Sequence, residues 1–304
     1  MVRTLAHMAP RTDRTTLAVF LLVSVLAGGN AVGIRFSNRE LDPLWGATLR
    51  FAAAALILLA VMAVLRLPWP RSRSLRGAAL YGLLNFAAGF ALIYYGLQEL
   101  HAGFAQILLA LVPLATLLLA VVERQEAFRW AAAGGGVIAL VGVLVMTRGA
   151  LSDSIPLLSV LALVASAFCF AQAAIVVGWI PEVHPVSVNA LGMAVGATVL
   201  LVGSLVTGES QALPDLAQTW AAVVYLVVIG SVVVFVLFVV VIKQWGASRA
   251  AYALVLIPVF TVIYSVWLLD EPVGWELAVG GAFVLAGVYV GALLKARNPE
   301  PRLS

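Results

Sequence analysis

The stretch AGFAQILLALVPLATLLLAVVERQEAFRWAAAGGGVIALVG, residues 102–142, decides the fold because it is repeated later in the chain. Residues 247–287 read ASRAAYALVLIPVFTVIYSVWLLDEPVGWELAVGGAFVLAG, and the two stretches align at an offset of 145. The landmark residues kept by both stretches are Ala102/Ala247, Pro113/Pro258, Thr116/Thr261, Glu126/Glu271, Trp130/Trp275, Gly135/Gly280, Gly136/Gly281 and Gly142/Gly287. The repeat predicts two units, residues 1–149 and residues 150–304.

The composition around this repeat is that of a membrane protein. Of the 304 residues, 63% are hydrophobic and 11% are charged, whereas soluble domains have about 45–50% apolar and about 25% charged residues. Apolar runs near the roughly 20 residues that cross a bilayer predict ten spans. They are 16–35, 43–65, 76–97, 102–122, 130–147, 156–179, 186–207, 219–242, 248–268 and 275–294. We therefore predict an all-α polytopic membrane protein embedded in a lipid bilayer. The net charge is +4, but the sequence contains no soluble basic domain that could bind nucleic acid, so nucleic-acid binding is not predicted.

The basic residues predict the orientation of the spans. The two termini and the loops between spans 2–3, 4–5, 6–7 and 8–9 hold 14 Lys and Arg residues, the opposite loops hold 3, and Arg50 lies inside span 2. Basic residues collect in cytoplasmic loops, so both termini are predicted to be cytoplasmic. Because five spans is an odd number, the second unit is predicted to enter the membrane inverted. The charges fit an inversion, since Arg124 and Arg129 align with Leu269 and Gly274.

Ten spans in two such halves resemble the drug/metabolite transporter superfamily in its EamA-type form. The resemblance rests on residues 30–50 (NAVGIRFSNRELDPLWGATLR), on residues 94–146 and on residues 246–291, and it covers almost the whole chain. It implies a secondary transporter of the bacterial inner membrane that exports small metabolites. Amino-acid exporters of the YddG type are the nearest members that the resemblance suggests.

Polar side chains inside the predicted spans are the candidates for a substrate site, because burying them in a membrane is costly. Asn30 and Gln172 each lie 13 residues before a proline, Pro43 and Pro185, so they are repeat counterparts that we expect to face each other. Arg50 has two interpretations that the sequence leaves open: a structural cation that snorkels or binds carbonyl groups, or an attractor of a substrate carboxylate. The substrate-binding candidates are Asn30, Arg50, Asn85, Tyr95, Gln106, Gln172, Ser231 and Tyr252.

Prolines and glycines predict where helices move or pack. Pro113 and Pro258 lie mid-span in equivalent helices, where a proline removes a backbone hydrogen bond and kinks the chain. We predict that both are hinges for rocking of the two units, with a static kink as the alternative. Glycine pairs with GxxxG spacing predict close helix packing, and spans 5 and 10 could in addition support a homodimer.

These observations favour a secondary transporter for a small-molecule substrate, amino acids foremost, that works by alternating access. A passive channel and an exporter of other drugs or metabolites are the alternatives. An intramembrane enzyme is disfavoured, because the sequence contains no HExxH or GxSxG motif and no paired mid-membrane aspartates. With no acidic residue at a predicted midplane and Cys169 as the single cysteine, no metal and no cofactor is predicted.

Overall fold

The computed structural model describes residues 14–123, 130–148, 156–180, 183–245 and 253–290. Regular structure in these ranges is helical, and each helix carries the number of the predicted span in which it lies. Two helices have three consecutive segments: α3 (Ser72–Tyr81, Gly82–Gly89, Phe90–Glu99) and α8 (Ala217–Val227, Val228–Val233, Val234–Trp245). The others are α1 Arg14–Ser37, α2 Pro43–Val64, α4a Ala102–Leu109, α4b Val112–Val122, α5 Trp130–Arg148, α6 Leu157–Trp179, α7 Pro185–Thr207, α9 Ala253–Leu269 and α10 Trp275–Val288.

The helices have the length and surface of membrane-crossing elements. Within the described ranges, six helices are long and apolar enough to cross a membrane, namely α1, α2, α3, α6, α7 and α8, and shorter apolar helices occupy spans 4, 9 and 10. Large apolar side chains such as Leu56, Trp130 and Leu140 are exposed on outer faces, as contact with lipid requires. The predicted all-helical, multi-pass architecture is confirmed.

Local sequence sets the ends of α2 and α7, which are repeat counterparts. Each helix has a proline in its first turn, Pro43 and Pro185, where the missing N–H group and the fixed φ are no disadvantage. α7 ends at Gly208, whose φ of +74° is in the left-handed region. The N–H group of Glu209 then donates to the carbonyl of Ser204 at 3.0 Å, which closes the end of α7.

Span 4 differs in local structure from its counterpart, span 9. The chain turns at Ala110 and Leu111 between α4a and α4b, and Pro113 occupies the first turn of α4b. The N–H group of Leu111 donates to the carbonyl of Leu108, three residues back, at 3.0 Å. α9, in contrast, continues through Pro258. The regular hydrogen bonding of span 4 is therefore interrupted before Pro113, although Ala110 and Leu111 keep right-handed helical backbone angles, and the two prolines occupy different local structures.

Two π-helical segments occupy equivalent positions of the repeat. Gly82–Gly89 interrupts α3 and Val228–Val233 interrupts α8. Adding the offset of 145 to the first segment gives residues 227–234, which contain the second. π-Helical turns are rare and occur often at functional sites. The internal repeat thus extends to a backbone irregularity that no residue pattern predicted.

The two units pack against each other with an exchange symmetry. α2 contacts its counterpart α7, α5 contacts α10, and α4a contacts α9. α1 contacts α8 and α9, just as α6 contacts α3 and both parts of α4, and α2 contacts α8 as α7 contacts α3. The same set of contacts results when each helix is replaced by its counterpart in the other unit. The two units are therefore related by an approximate twofold pseudosymmetry, and they share one core.

α5 and α10 pack closely through glycines. A Cβ atom on Gly142 would lie 2.6 Å from the carbonyl oxygen of Gly280, and one on Gly287 would lie 2.5 Å from that of Gly135. Neither position has room for a side chain. The glycine faces of these helices meet inside one chain, and a homodimer through spans 5 and 10, which would need their outer faces, stays a prediction.

Candidate functional site

Arg50 of α2 is completely buried between the two units. Its Nε donates to Ser231 Oγ at 2.9 Å, and its Nη2 donates to Asn30 Oδ1 at 3.3 Å and to the Gly230 carbonyl at 3.2 Å. These partners belong to α1 and to the π-helical segment of α8. The structure therefore brings together three of the predicted site residues, Asn30, Arg50 and Ser231.

The π-helical segment of α8 makes room for this arrangement. Ser231 Oγ donates to the carbonyl of Leu226, five residues back, at 2.8 Å while it accepts the bond from Arg50. Gly230 contributes its carbonyl group and also its lack of a side chain, because a Cβ atom there would overlap Asn30 Oδ1. A backbone irregularity and a glycine thus shape the pocket for the guanidinium.

Phenylalanine rings surround the guanidinium. The Cζ atom of Arg50 lies 4.7 Å from the ring centroid of Phe90 and 5.0 Å from that of Phe51, within the range of cation–π contacts. Phe86 packs on Phe51 at a centroid distance of 5.1 Å, and Phe235 packs on Phe86 at 5.2 Å. The rings come from α2, α3 and α8, so both units contribute to this apolar environment.

Four buried polar atoms in and beside this pocket have no hydrogen-bond partner among the described residues: Arg50 Nη1, Tyr94 Oη, Ser37 Oγ and Asn38 Oδ1. Tyr94 of α3 is fully buried, and its phenol interacts electrostatically with the guanidinium. A Cβ atom on Gly46 would lie 3.0 Å from Ser37 Oγ and 3.3 Å from Tyr94 Cε1, which places Ser37 beside Tyr94. Because buried polar atoms are nearly always paired, these atoms are the ones that a bound water or a polar group of a ligand would satisfy.

Gln172 and Asn30 have separate partners. Asn30 accepts from Arg50, whereas Gln172 Nε2 of α6 donates to Glu123 Oε1 at 2.8 Å. Glu123 follows the last residue of α4b, so this bond joins the two units. The described contacts therefore give the two counterpart amides different neighbours.

The other candidates are spread over the bundle. Asn85 is buried in the π-helical segment of α3, and its Nδ2 has no hydrogen-bond partner within the described part of the chain. Tyr95 is 38% exposed, whereas its neighbour Tyr94 is fully buried, and Gln106 of α4a is half-buried. Tyr252 lies outside the described residues.

Carboxylates of the connecting loops cap helix starts of the opposite unit. Glu209, which follows α7, accepts from the N–H groups of Leu44 at 3.1 Å and Trp45 at 2.8 Å, at the start of α2. Glu40, which precedes α2, accepts from the N–H group of Leu216 at 3.1 Å, at the start of α8. The first N–H groups of a helix lack partners and carry partial positive charge, so a carboxylate is favourable there. The two caps are reciprocal and join loop 1–2 to loop 7–8.

Glu271 forms a third cap and is almost completely buried. Both of its oxygens accept from the N–H group of Ala102, at 2.9 and 3.1 Å, at the start of α4a. Its Oε1 also lies 3.4 Å from Nε of Arg35, whose Nη1 donates to the carbonyl of Leu97 at 3.3 Å. One carboxylate thus connects the end of α9 with α4a and α1.

The environment of Glu40 favours its charged form. The Thr219 hydroxyl and the backbone N–H groups of Leu216 and Asp215 hold the pKa of the Glu40 carboxyl below its ordinary value of 4.5. The cap at the start of α8 is therefore ionised at neutral pH.

Sequence reasoning missed Ser37, Asn38 and Tyr94, and it gave the capping carboxylates no role. Ser37 and Asn38 are at a span end, where polar residues are expected, so nothing marked them. Tyr94 had a usable signal, because a tyrosine hydroxyl inside an apolar run needs a partner when it is buried. The caps depend on which loop lies beside which helix, and that is a property of the tertiary structure.

Buried polar contacts between two similar units of membrane-crossing helices are typical of membrane transporters. The chain matches the model of the EamA-like transporter family twice, over residues 14–148 and 157–292. It therefore belongs to the EamA-like transporter family and is a multi-pass protein of the inner membrane.

Similar proteins carry transporter names. The chain is 29% identical to the uncharacterized inner membrane transporter YedA of Escherichia coli (strain K12), over 90% of this chain and 89% of that protein. It is 25% identical to the uncharacterized transporter YyaM of Bacillus subtilis, over 88% and 90%, and 29% identical to a probable terminal-alkyne amino-acid exporter of Streptantibioticus cattleyicolor, over 73% and 74%. A solved crystal structure of 18% identity matches with a TM-score of 0.65 over 93% of this chain and 98% of that one, which supports the fold.

Proposed function

We propose that the protein is a secondary transporter that exports small metabolites, amino acids foremost, across the inner membrane by alternating access. In this proposal ten spans form two inverted five-helix units with both termini in the cytoplasm. The observation that carries it is the exchange symmetry of the helix contacts. If the units are inverted, the same set of contacts can rearrange in two mirrored ways, one open to each side of the membrane.

The substrate path runs between the units, through the pocket around Arg50. Asn30, Arg50 and Ser231 supply polar groups from both units there, and the surrounding phenylalanine rings suit a solute with an apolar part. The name of the Streptantibioticus relative, a probable terminal-alkyne amino-acid exporter, agrees with an amino acid as the substrate. Amino acids are therefore the first class of solute to test.

The carboxylate caps belong to the outer gate in this proposal. The distribution of Lys and Arg puts the loops that hold Glu40, Glu209 and Glu271 on the periplasmic side. Hydrogen bonds to a buried charged group such as Glu271 contribute about 1.5–3 kcal/mol each, whereas those of the partly exposed Glu40 are weakened by solvent. A gate closed by a few such bonds is stable enough to hold and weak enough to open during turnover.

Counterflow in proteoliposomes tests this function. Vesicles loaded with an unlabelled amino acid are diluted into the labelled compound, with a panel of amino acids and a panel of other metabolites and drugs. We expect transient, saturable accumulation of at least one amino acid. Uptake that rises linearly with concentration would indicate a passive channel. Exchange of other metabolites alone would replace amino acids as the substrate class, and no exchange of any solute would contradict transport.

A further inference from the structure

The guanidinium of Arg50 has one edge, at Nη1, at which no described residue makes a hydrogen bond of normal geometry. Its Nε and Nη2 bind Ser231, Asn30 and the Gly230 carbonyl, and two phenylalanine rings lie near its Cζ atom. Nη1 makes no hydrogen bond of normal geometry to a described residue, although the Tyr94 phenol lies within interaction range of the guanidinium, and the side chain is completely buried. The free edge therefore consists of two N–H donors held in a fixed direction.

The charge of Arg50 is unpaired as well. Its three hydrogen-bond partners are neutral acceptors, and no carboxylate of the described residues forms an ion pair with it; Glu271 pairs with Arg35 instead. A guanidinium stays protonated in proteins, and a buried charge is costly unless an opposite charge accompanies it. One negatively charged group bound at this site would therefore neutralise the charge of Arg50.

Tyr94 adds a second donor to the same place. Its hydroxyl is buried and lies close enough to the guanidinium for the two groups to interact, and it has no other hydrogen-bond partner among the described residues. Arg50 reaches the pocket from α2 and Tyr94 from α3. A carboxylate accepts hydrogen bonds through two oxygens, so it can take one from Nη1 and one from the phenol.

We propose that Arg50 Nη1 and the Tyr94 hydroxyl bind the carboxylate of the transported solute, so the protein selects solutes that carry a carboxylate. This inference rests on the proposed transport function and names the chemical group by which that function recognises its substrate. Phe51 and Phe90 lie next to the guanidinium and Phe86 packs on Phe51, so in this proposal these rings contact the apolar part of the same solute.

Competition in the counterflow assay tests the recognised group. The probes are L-phenylalanine and L-leucine, together with the methyl ester, the amide and the decarboxylated amine of each. We expect the amino acids to compete with the labelled solute, and each derivative without a carboxylate to compete at least about tenfold more weakly, because hydrogen bonds to a charged group are lost. Equal competition by the esters, amides and amines would overturn the proposal.

Tyr94→Phe tests the site itself, because it removes one oxygen atom and leaves the ring. We expect the apparent affinity for the amino acid to fall about tenfold, while the thermal midpoint of unfolding in detergent is unchanged or higher. Arg50→Lys keeps the charge and loses the fork of N–H donors, so it is expected to lose exchange as well. Tyr289→Phe, an equivalent change at an exposed position of the chain, is the matched control and keeps wild-type exchange.

The outcomes separate this inference from the transport function. Wild-type affinity in Tyr94→Phe, or a wild-type protein that exchanges only solutes without a carboxylate, would overturn carboxylate recognition and leave transport standing. If the wild type exchanges no solute, the transport function fails and carboxylate recognition fails with it.

Discussion

At the scale of single residues, the buried arginine is the feature that needs an explanation. An arginine at the centre of a membrane helix costs about 2.5–3.5 kcal/mol on insertion scales. Of the two interpretations that the sequence left open for Arg50, snorkelling does not apply, because the side chain is completely buried. Its hydrogen bonds to a carbonyl group and to two side chains give it a structural role. Its Nη1 edge makes no hydrogen bond of normal geometry, so this edge is available for a substrate.

Gly230→Ala tests the fit of this pocket. The new Cβ atom would overlap Asn30 Oδ1, so Asn30 must move and the bond to Arg50 Nη2 is lost. We expect a lower thermal midpoint of unfolding, equivalent to about 1.5–3 kcal/mol, and loss of most counterflow activity. Gly134→Ala is the matched control, since a Cβ atom there meets nothing within 4 Å. If Gly230→Ala behaves like Gly134→Ala, the pocket is looser than described.

At the scale of elements, helices 4 and 9 show what a sequence repeat does and does not determine. Both contain a proline at the same repeat position, and the sequence predicts equivalent hinges. Only span 4 is interrupted, at Ala110 and Leu111, whereas α9 runs through Pro258. A proline removes one hydrogen bond in either case, and whether the helix breaks there depends on the packing around it.

Pro113→Ala tests the interruption as a moving joint. Alanine restores the N–H group that can bond to the Leu109 carbonyl and lets α4a and α4b join. We expect turnover to slow several-fold with little change in KM, and a smaller effect of Pro258→Ala. Pro43→Ala, at a first-turn position with no preceding helix to join, is the control. Wild-type turnover in Pro113→Ala would leave the interruption with a packing role only.

Glu271→Gln tests the outer gate. The neutral side chain keeps its size but weakens the cap on α4a and loses the ion pair with Arg35. In a Cys169→Ser background with Ser37→Cys as the reporter, we expect faster labelling by an impermeant maleimide added from the proposed periplasmic side, because Ser37 is buried in the structure. Glu276→Gln, a nearby acid of the same loop region, should leave the rate unchanged. Equal rates in both variants would separate Glu271 from gating.

The cap formed by Glu40 predicts a dependence on pH. Its pKa is lowered in the folded protein, so its contribution to stability is present above the pKa of the unfolded chain and is lost as the pH falls through the lowered value. We expect Glu40→Gln to lower the thermal midpoint in detergent at pH 7 and to have a progressively smaller effect as the pH falls below 4.5. An effect of equal size at neutral and at acidic pH would mean that charge is not the cause.

At the scale of the whole molecule, the sequence predicted most of the architecture and part of the site. The repeat and the apolar runs predicted the helical units. The polar residues inside the apolar runs pointed to Asn30, Arg50 and Ser231, because a polar residue is conspicuous in a segment that is buried in a membrane. The π-helical segments, the reciprocal caps and the unpaired Tyr94 hydroxyl were not predicted. Each of them arises from contacts between segments far apart in the chain, such as Leu44 with Glu209, and leaves no periodic pattern in either segment.

In the proposed function, solute passes through the region around Arg50, which opens to each side of the membrane in turn. Ala47→Cys in the Cys169→Ser background tests it, because Ala47 is fully buried one turn before Arg50. An impermeant maleimide is applied to intact cells and to inverted membrane vesicles, with and without a transported amino acid. We expect slow labelling from either side, protection by the amino acid on both sides and loss of exchange after labelling. Labelling from neither side, or labelling that the amino acid does not affect, would contradict the claim.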